Sequence, residues 1–154
     1  MAKRVRIGDV VEIPTRRGLA YVQYTHEVER WGSLLRVLPS FFPSRPDRFD
    51  QLVLQPHRFV TFFPLRAAVS RKIFEVVDNQ PLSPEAQAFP LFRKAGFVDR
   101  EGKVHDWWLW DGNRQWQVGQ LSPEQRRLPM LGVWNDTLLI ARIEEEWLPE
   151  TDIR

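Results

Sequence analysis

The sequence predicts a mainly β protein of the α+β class, with a curved antiparallel sheet or an SH3-like, partly open barrel at its N-terminal end. Short runs rich in β-branched and aromatic residues, bounded by turn residues, fill the first half of the chain and are typical of strands. Two aromatic segments flank an Asp-Gly-Asn turn, and one apolar stripe with helical spacing lies near the C-terminus. At 154 residues, the chain is predicted to form a single domain over residues 1–154.

The first half is predicted to consist mostly of strands. In the first of them, period-2 alternation places Val11 and Ile13 on one face together with Ile7. Prolines interrupt regular structure after the third strand, and residues 45–55 are then predicted as a short helix capped by Asp47. The predicted strands are residues 7–14, 19–25, 33–38, 59–63 and 72–77.

The tetrapeptide Leu-Ser-Pro-Glu occurs twice, at residues 82–85 and 121–124. Ser at the N-cap, Pro at the first helical position and an acid in the first turn are a standard helix start. In each copy a later Pro stops the helix after about one turn. Each segment is therefore predicted to be a short helical turn that links strands, and not one unit of an internal repeat.

Residues 106–119 hold four of the seven tryptophans and are predicted to form a hairpin. A two-residue loop at Gly112 and Asn113 keeps the apolar side chains together, because directly opposed residues share a face. The face predicted to be core consists of Trp107, Leu109, Trp116 and Val118. The other face, called the tryptophan face here, is the predicted partner-binding site and consists of Trp108, Trp110, Gln115 and Gln117.

The chain is predicted to end in one helix that begins at Asn135 or Asp136 as the cap. Leu139, Ile143 and Trp147 fall at i, i+4 and i+8 and are predicted to pack on the sheet. Pro149 is expected to end this helix.

The residue types give no reason to expect an enzyme, although an unfamiliar active site stays open. The chain has no cysteine, its three histidines lack helical i, i+4 spacing, and no nucleophile elbow or phosphate-binding glycine loop occurs. No cofactor and no metal are therefore predicted. No signal peptide and no apolar run of about 20 residues is found, so a soluble, cytoplasmic protein without a membrane span is expected.

Residues 3–25, KRVRIGDVVEIPTRRGLAYVQYT, resemble the opening of bacterial immunity proteins of the Imm26 type. The order of a basic start, Ile-Gly-Asp, a strand with Ile-Pro, a turn and an aromatic strand carries the resemblance. The later segment Trp-Leu-Trp-Asp-Gly, which Leu-Ser-Pro-Glu follows, is also similar to a segment of these proteins. The resemblance implies a small β-rich protein, SH3-like at its start, that binds and blocks a toxin of its own lineage.

The net charge is +2, but the two halves of the chain differ in sign. Residues 1–77 carry 13 Lys and Arg against 7 Asp and Glu, and residues 78–154 carry 9 against 13. Acidic residues of the second half are expected to suit a basic protein partner, for instance a nuclease toxin: Glu144, Glu145, Glu146, Glu150 and Asp152.

The basic first half keeps an alternative open, which is a nucleic-acid-binding module that uses charge and aromatic stacking. Its candidate cations are Lys3, Arg4, Arg6, Arg16, Arg17, Arg30, Arg36, Arg66, Arg71 and Lys72. An uncharacterised bacterial domain with another role is the remaining alternative. The oligomeric state stays open.

Overall fold

Two antiparallel sheets form the framework of the protein, which a computed structural model describes over residues 4–154. Sheet A contains β1 (Asp9–Thr15), β2 (Gly18–Val28), β3 (Gly32–Val37), β4 (Phe59–Phe63) and β5 (Glu75–Asn79), in the spatial order β4-β3-β2-β1-β5. Sheet B contains β6 (Phe92–Ala95), β7 (Trp107–Trp110) and β8 (Gln115–Gly119), in chain order. The prediction of a mainly β protein with antiparallel sheets is confirmed, and neither sheet closes into a barrel.

Four of the five strands predicted in the first half are observed close to their predicted places, and the fifth is displaced. Ile7 precedes β1 and is 45% exposed, so it does not extend the buried face of Val11 and Ile13 as predicted. The fifth strand starts at Glu75 and not at residue 72, because a helix that the sequence analysis missed, α1 (Leu65–Ser70), ends in a turn through Lys72 at a φ of 60°.

The predicted helix over residues 45–55 is wrong. Only a 3-10 turn forms there, at Leu52–Leu54, and Asp47 does not cap it. Phe49 and Val53 pack on Tyr21 of sheet A in a separate apolar cluster, and Arg45 binds Glu12 of β1. These tertiary contacts hold the segment in an irregular path that its helical propensity alone does not indicate.

The two Leu-Ser-Pro-Glu segments form short helical turns, as predicted. Ser83 caps α2 (Pro84–Gln87), since its Oγ accepts a hydrogen bond from the Ala86 N–H at 3.2 Å. The Ser122 Oγ accepts in the same way from the Gln125 N–H at 3.2 Å, before the 3-10 turn Gln125–Arg127. The same local chemistry therefore produces the same local structure at two unrelated places.

The C-terminal helix, α3 (Asp136–Glu144), is capped by Asn135, whose Oδ1 accepts from the Leu138 N–H at 2.8 Å. Leu139, Ile143 and Trp147 are all buried in the largest core cluster, with β1, β2 and β3, as predicted. The helix ends earlier than Pro149, because Glu146 adopts a φ of 54°; Trp147 reaches the core from the turn that follows the helix.

Residues 129–134 run along the outer edges of both sheets. The Arg93 N–H of β6 donates to the Pro129 carbonyl at 2.9 Å, and the Leu131 N–H donates to the Arg93 carbonyl at 2.9 Å. The Trp134 N–H donates to the Phe62 carbonyl of β4 at 3.0 Å. This segment therefore joins the two sheets and covers β6 and β4, which leaves β5 and β8 as the uncovered edges of the described sheets.

The hairpin of β7 and β8 has most of the predicted register. Trp110 pairs with Gln115, Leu109 with Trp116 and Trp108 with Gln117; a bulge then pairs Trp107 with Gly119 and not with Val118.

Only part of the predicted core face of the hairpin is core. Trp107 is 2% exposed and Leu109 is buried, as predicted. Trp116 is 40% exposed, so its prediction as a core residue is wrong. The reason is its place on β8, which is an edge strand whose residues 115–117 are exposed on both faces.

Candidate partner-binding surface

The tryptophan face lies on one side of sheet B. Cross-strand pairing aligns Trp108 with Gln117 and Trp110 with Gln115, so the four predicted residues share a face. The pairing of β6 with β7 adds Lys94 beside Trp108 and Phe92 beside Trp110. The structure therefore brings the four predicted residues together and adds a cation and a phenyl ring that the sequence analysis did not assign to this face.

Trp110 is half-buried in an aromatic cluster between the two sheets. Its ring centroid lies 5.5 Å from that of Phe92, 5.7 Å from that of Phe89 and 6.3 Å from that of Phe62. The Trp31 ring, from the turn between β2 and β3, is 6.1 Å away. Trp110 therefore contributes to the packing of sheet B on sheet A as well as to the surface.

Trp108 is half-buried on the same face, outside the aromatic cluster that includes Trp110. The polar side chains around Trp108 are ordered by hydrogen bonds to one another. The Gln117 Nε2 donates to the Asp106 Oδ1 at 2.5 Å, and the Lys94 Nζ donates to the Gln115 Oε1 at 2.9 Å. An indole beside ordered amides offers apolar area together with fixed hydrogen-bonding groups, which is the character of a contact surface.

A cleft of about 750 Å³ opens where the tryptophan face meets the turn between β2 and β3. Trp31 and Trp110 supply its aromatic wall, and Leu131 and Val133 extend the apolar lining. Its polar lining includes both signs of charge and two amides: Glu29, Arg30, Lys94, Asn113 and Gln115. A concave, partly apolar site with a few polar groups is typical of binding sites.

Trp31 and Lys94 were not predicted as site residues, and Arg30 was predicted only among the cations of the nucleic-acid alternative. Trp31 precedes Gly32, whose φ of 89° marks the turn, and this local signal places Trp31 at a loop tip. Nothing in the sequence indicates that this tip lies against the second sheet. The association depends on the packing of sheet A on sheet B through Phe62 and Phe92, whose rings stack at 5.4 Å.

The two tryptophans differ in packing, and this predicts different effects on stability. Trp110→Ala should lower the free energy of unfolding by about 2–4 kcal/mol, because it removes a ring from an aromatic cluster. Trp108→Ala should change it by about 1 kcal/mol or less, as at ordinary surface positions. Urea unfolding of both variants followed by circular dichroism measures the difference. Equal losses for the two variants would show that Trp108 is packed as firmly as Trp110.

Four of the five acidic residues named for the second half have a hydrogen-bond or ion-pair partner within the fold, and the fifth, Glu150, is exposed. The Arg16 N–H donates to the Glu144 Oε2 at 2.7 Å, and the Arg17 Nη1 lies 3.2 Å from the Glu146 Oε2. Arg142 pairs with Glu145, and Asp152 accepts from the side chain of Arg154. One of these contacts, Arg17–Glu146, joins opposite charges of the two halves, so part of the acidic set is already compensated within the fold.

Three of the candidate cations of the first half are buried or paired, whereas six others are exposed: Arg4, Arg6, Arg16, Arg30, Arg71 and Lys72. Arg36 is fully buried, and Arg66 pairs with Glu27 at 3.1 Å. Arg17 pairs with Glu146, as described above, and Lys3 lies outside the described residues. A basic groove that used the whole set for a nucleic-acid backbone would also need Arg17, Arg36 and Arg66, which are paired or buried.

A separate polar cluster surrounds the buried Arg36 guanidinium. Its Nη2 lies 3.6 Å from the Glu85 Oε1, and the same carboxylate oxygen lies 3.1 Å from the His57 Nδ1. Burial lowers the pKa of His57, which favours its neutral form. Ser83 is committed to capping α2. The cluster therefore joins loop residues to Arg36 of sheet A.

Within residues 4–154, no group of three or more His, Asp or Glu side chains is arranged to hold a metal ion. Among the same residues, no helix has the length and apolarity that crossing a membrane requires.

Comparisons with protein-family models, curated proteins and solved structures gave no match for this chain.

Proposed function

We propose that this protein is a protein-binding protein that acts by covering part of its partner, with the tryptophan face and the adjoining cleft as the contact surface. The observation that carries the proposal is the half-buried Trp108, which shares its face with the hydrogen-bonded Gln115 and Gln117 side chains and with the cleft walled by Trp31 and Trp110. Tryptophan is enriched among the residues that dominate binding energy at protein interfaces. Its large area is presented with few rotamers to order on binding.

The charge at this surface favours a protein over a nucleic acid. Arg30 and Lys94 are offset by Glu29 in the cleft and by Asp106 beside Gln117. A nucleic-acid site draws most of its affinity from an excess of cations that neutralise phosphates. A surface of mixed sign with aromatic centres matches the composition of protein–protein contacts better.

The finer form of the proposal is an immunity protein whose partner is a toxin made by its own lineage, and which is SH3-like at its start. The support for it is the resemblance of residues 3–25 to Imm26-type proteins. Binding by occlusion needs only a complementary surface and no cofactor, which agrees with the residue types of the tryptophan face. A cytoplasmic location belongs to the same proposal, since an immunity protein guards the cell that makes the toxin.

Site-specific photo-crosslinking in the producing cell tests the proposal. A photo-reactive phenylalanine analogue at position 108 should crosslink a distinct protein that mass spectrometry identifies. The same analogue at Phe97, a 73% exposed aromatic outside the tryptophan face, is the matched control. The proposal fails if position 108 gives no protein adduct beyond that of position 97. It also fails if mixed oligonucleotides bind at low salt with an affinity that falls steeply as salt is added.

Once the crosslinked protein is purified, Trp108→Ala should weaken its binding by about 2 kcal/mol, or about 30-fold in Kd, as for an interface hot spot. Phe97→Ala should leave the Kd within about twofold, as at a position outside an interface. Isothermal titration calorimetry measures both. A Trp108→Ala variant that binds like the parent would exclude the tryptophan face as the contact surface.

A further inference from the structure

The outer edge of β8 has unpaired backbone groups at two glutamines. The Asp111 N–H donates to the Arg114 carbonyl at 3.1 Å, which closes the hairpin. Because hydrogen-bonded and non-hydrogen-bonded pairs alternate along antiparallel strands, the Leu109–Trp116 pair is bonded in the same way. Gln115 and Gln117 therefore point their backbone N–H and C=O groups away from β7, and within residues 4–154 no strand pairs with that edge.

The edge of β8 lacks two of the features that usually prevent strand pairing, which are charged side chains and proline. Natural edge strands are protected by charged side chains, prolines or bulges. The other uncovered edge, β5, carries Glu75 and Asp78. Both edge strands pair with their inner neighbour through a bulge, so the charged side chains are what distinguishes them. The residues of β8 include neither charge nor proline, and Trp116 projects from this strand with 40% of its surface exposed. Of the two edges, β8 is the one suited to accept another strand.

We infer that a second copy of this chain pairs with β8, antiparallel and edge to edge, with Trp116 on the two-fold axis. The sequence Gln-Trp-Gln reads the same in both directions about Trp116. This register puts Gln115 opposite Gln117 of the second copy and Gln117 opposite Gln115, so the outward backbone groups of both copies form reciprocal hydrogen bonds. A two-fold interface requires this self-complementarity, and the two Trp116 side chains then lie side by side on one face.

The charges at the two ends of β8 fit the antiparallel arrangement. The cation Arg114 precedes the strand, and Asp106 lies at its other end, bonded to Gln117. Antiparallel pairing brings the Arg114 end of each copy toward the Asp106 end of the other, whereas parallel pairing would align like charges. The pairing joins two three-stranded sheets into one continuous sheet and is independent of the proposed function, which uses a face of the sheet and not its edge.

Sedimentation velocity tests the inference. The strand has only five residues, so we expect a weak dimer that grows between micromolar and millimolar protein. Gln117→Pro removes an outward N–H without removing a β7–β8 bond, and Trp116→Lys places two cations at the axis. Each should weaken dimerisation by about tenfold or more. Phe97→Lys, the same kind of change at an exposed aromatic off the edge, should leave it unchanged.

Cysteine crosslinking tests the register, since the natural chain has no cysteine. Under mild oxidation Trp116→Cys should form a disulfide-linked dimer, because residues on the axis face each other directly. Gln117→Cys should not, since its equivalent in the second copy lies about two residues along the strand, beyond the reach of a disulfide. A wild-type chain that stays monomeric at millimolar concentration overturns the inference. So does loss of the dimer in Phe97→Lys, or crosslinking from position 117 and not from position 116.

Discussion

Replacing Trp107 with Ala is expected to lower the free energy of unfolding by about 3–5 kcal/mol, the usual loss for a large aromatic side chain in a core. Trp107 is 2% exposed and belongs to the largest apolar cluster. The guanidinium carbon of the buried Arg93 lies 5.1 Å from the centroid of its ring, so the substitution also removes a cation–π partner. This loss is a large fraction of the stability of a typical domain.

The matched control is Trp116→Ala, the same substitution on the neighbouring strand. Trp116 is 40% exposed, and its replacement should cost about 1 kcal/mol or less. Chemical denaturation of both variants at a protein concentration that keeps them monomeric measures the two values. A Trp107→Ala variant that unfolds at the same denaturant concentration as Trp116→Ala would contradict the packing described for sheet B.

Replacing Arg36 with Met is expected to cost about 3 kcal/mol or more. Arg36 is fully buried, and its guanidinium donates to the Val53 carbonyl at 2.9 Å and to the Gln55 carbonyl at 2.6 Å. It also donates to the Gln23 Oε1 at 3.2 Å. Methionine fills much of the volume but leaves these buried acceptors without a donor, and each unsatisfied group costs about 1–3 kcal/mol.

The control for Arg36 is Arg66→Met. Arg66 pairs with Glu27 at the surface, where its side chain is 65% exposed, and exposed ion pairs contribute about 1 kcal/mol or less. Thermal unfolding should therefore separate the two variants by many degrees, with Arg36→Met the lower. If both variants have the same melting temperature, the hydrogen bonds from Arg36 to the carbonyls contribute no more to stability than an ordinary surface ion pair does.

Arg36 on β3 of sheet A and Arg93 on β6 of sheet B act in the same way. Arg93 is also fully buried, and its guanidinium donates to the Arg126 carbonyl at 3.0 Å and to the Pro149 carbonyl at 2.7 Å. Burial lowers the pKa of Arg93 to about 10, which still leaves it protonated at neutral pH. Each arginine thus binds the backbone of irregular segments to a strand, and this holds the long loops of the chain in place.

The sequence by itself determined the features that depend on neighbours along the chain. The Asn135 and Ser83 caps bond to N–H groups three residues ahead. The Asp111 carboxylate accepts from the Asn113 and Arg114 N–H groups, which closes the hairpin and fixes the Trp108–Gln117 pair. These bonds form within a few residues, so residue type and spacing suffice to predict them.

Only the tertiary structure decided which surfaces are covered. The pattern of alternation gives Trp107 and Trp116 the same face, yet one is buried and the other is exposed because β8 lies at the edge of sheet B. The aromatic contacts of Trp110 and the cleft beside Trp31 depend on how the two sheets pack. Burial of a side chain is set by elements distant in sequence, and local spacing along one strand carries no information about which layer will lie across it.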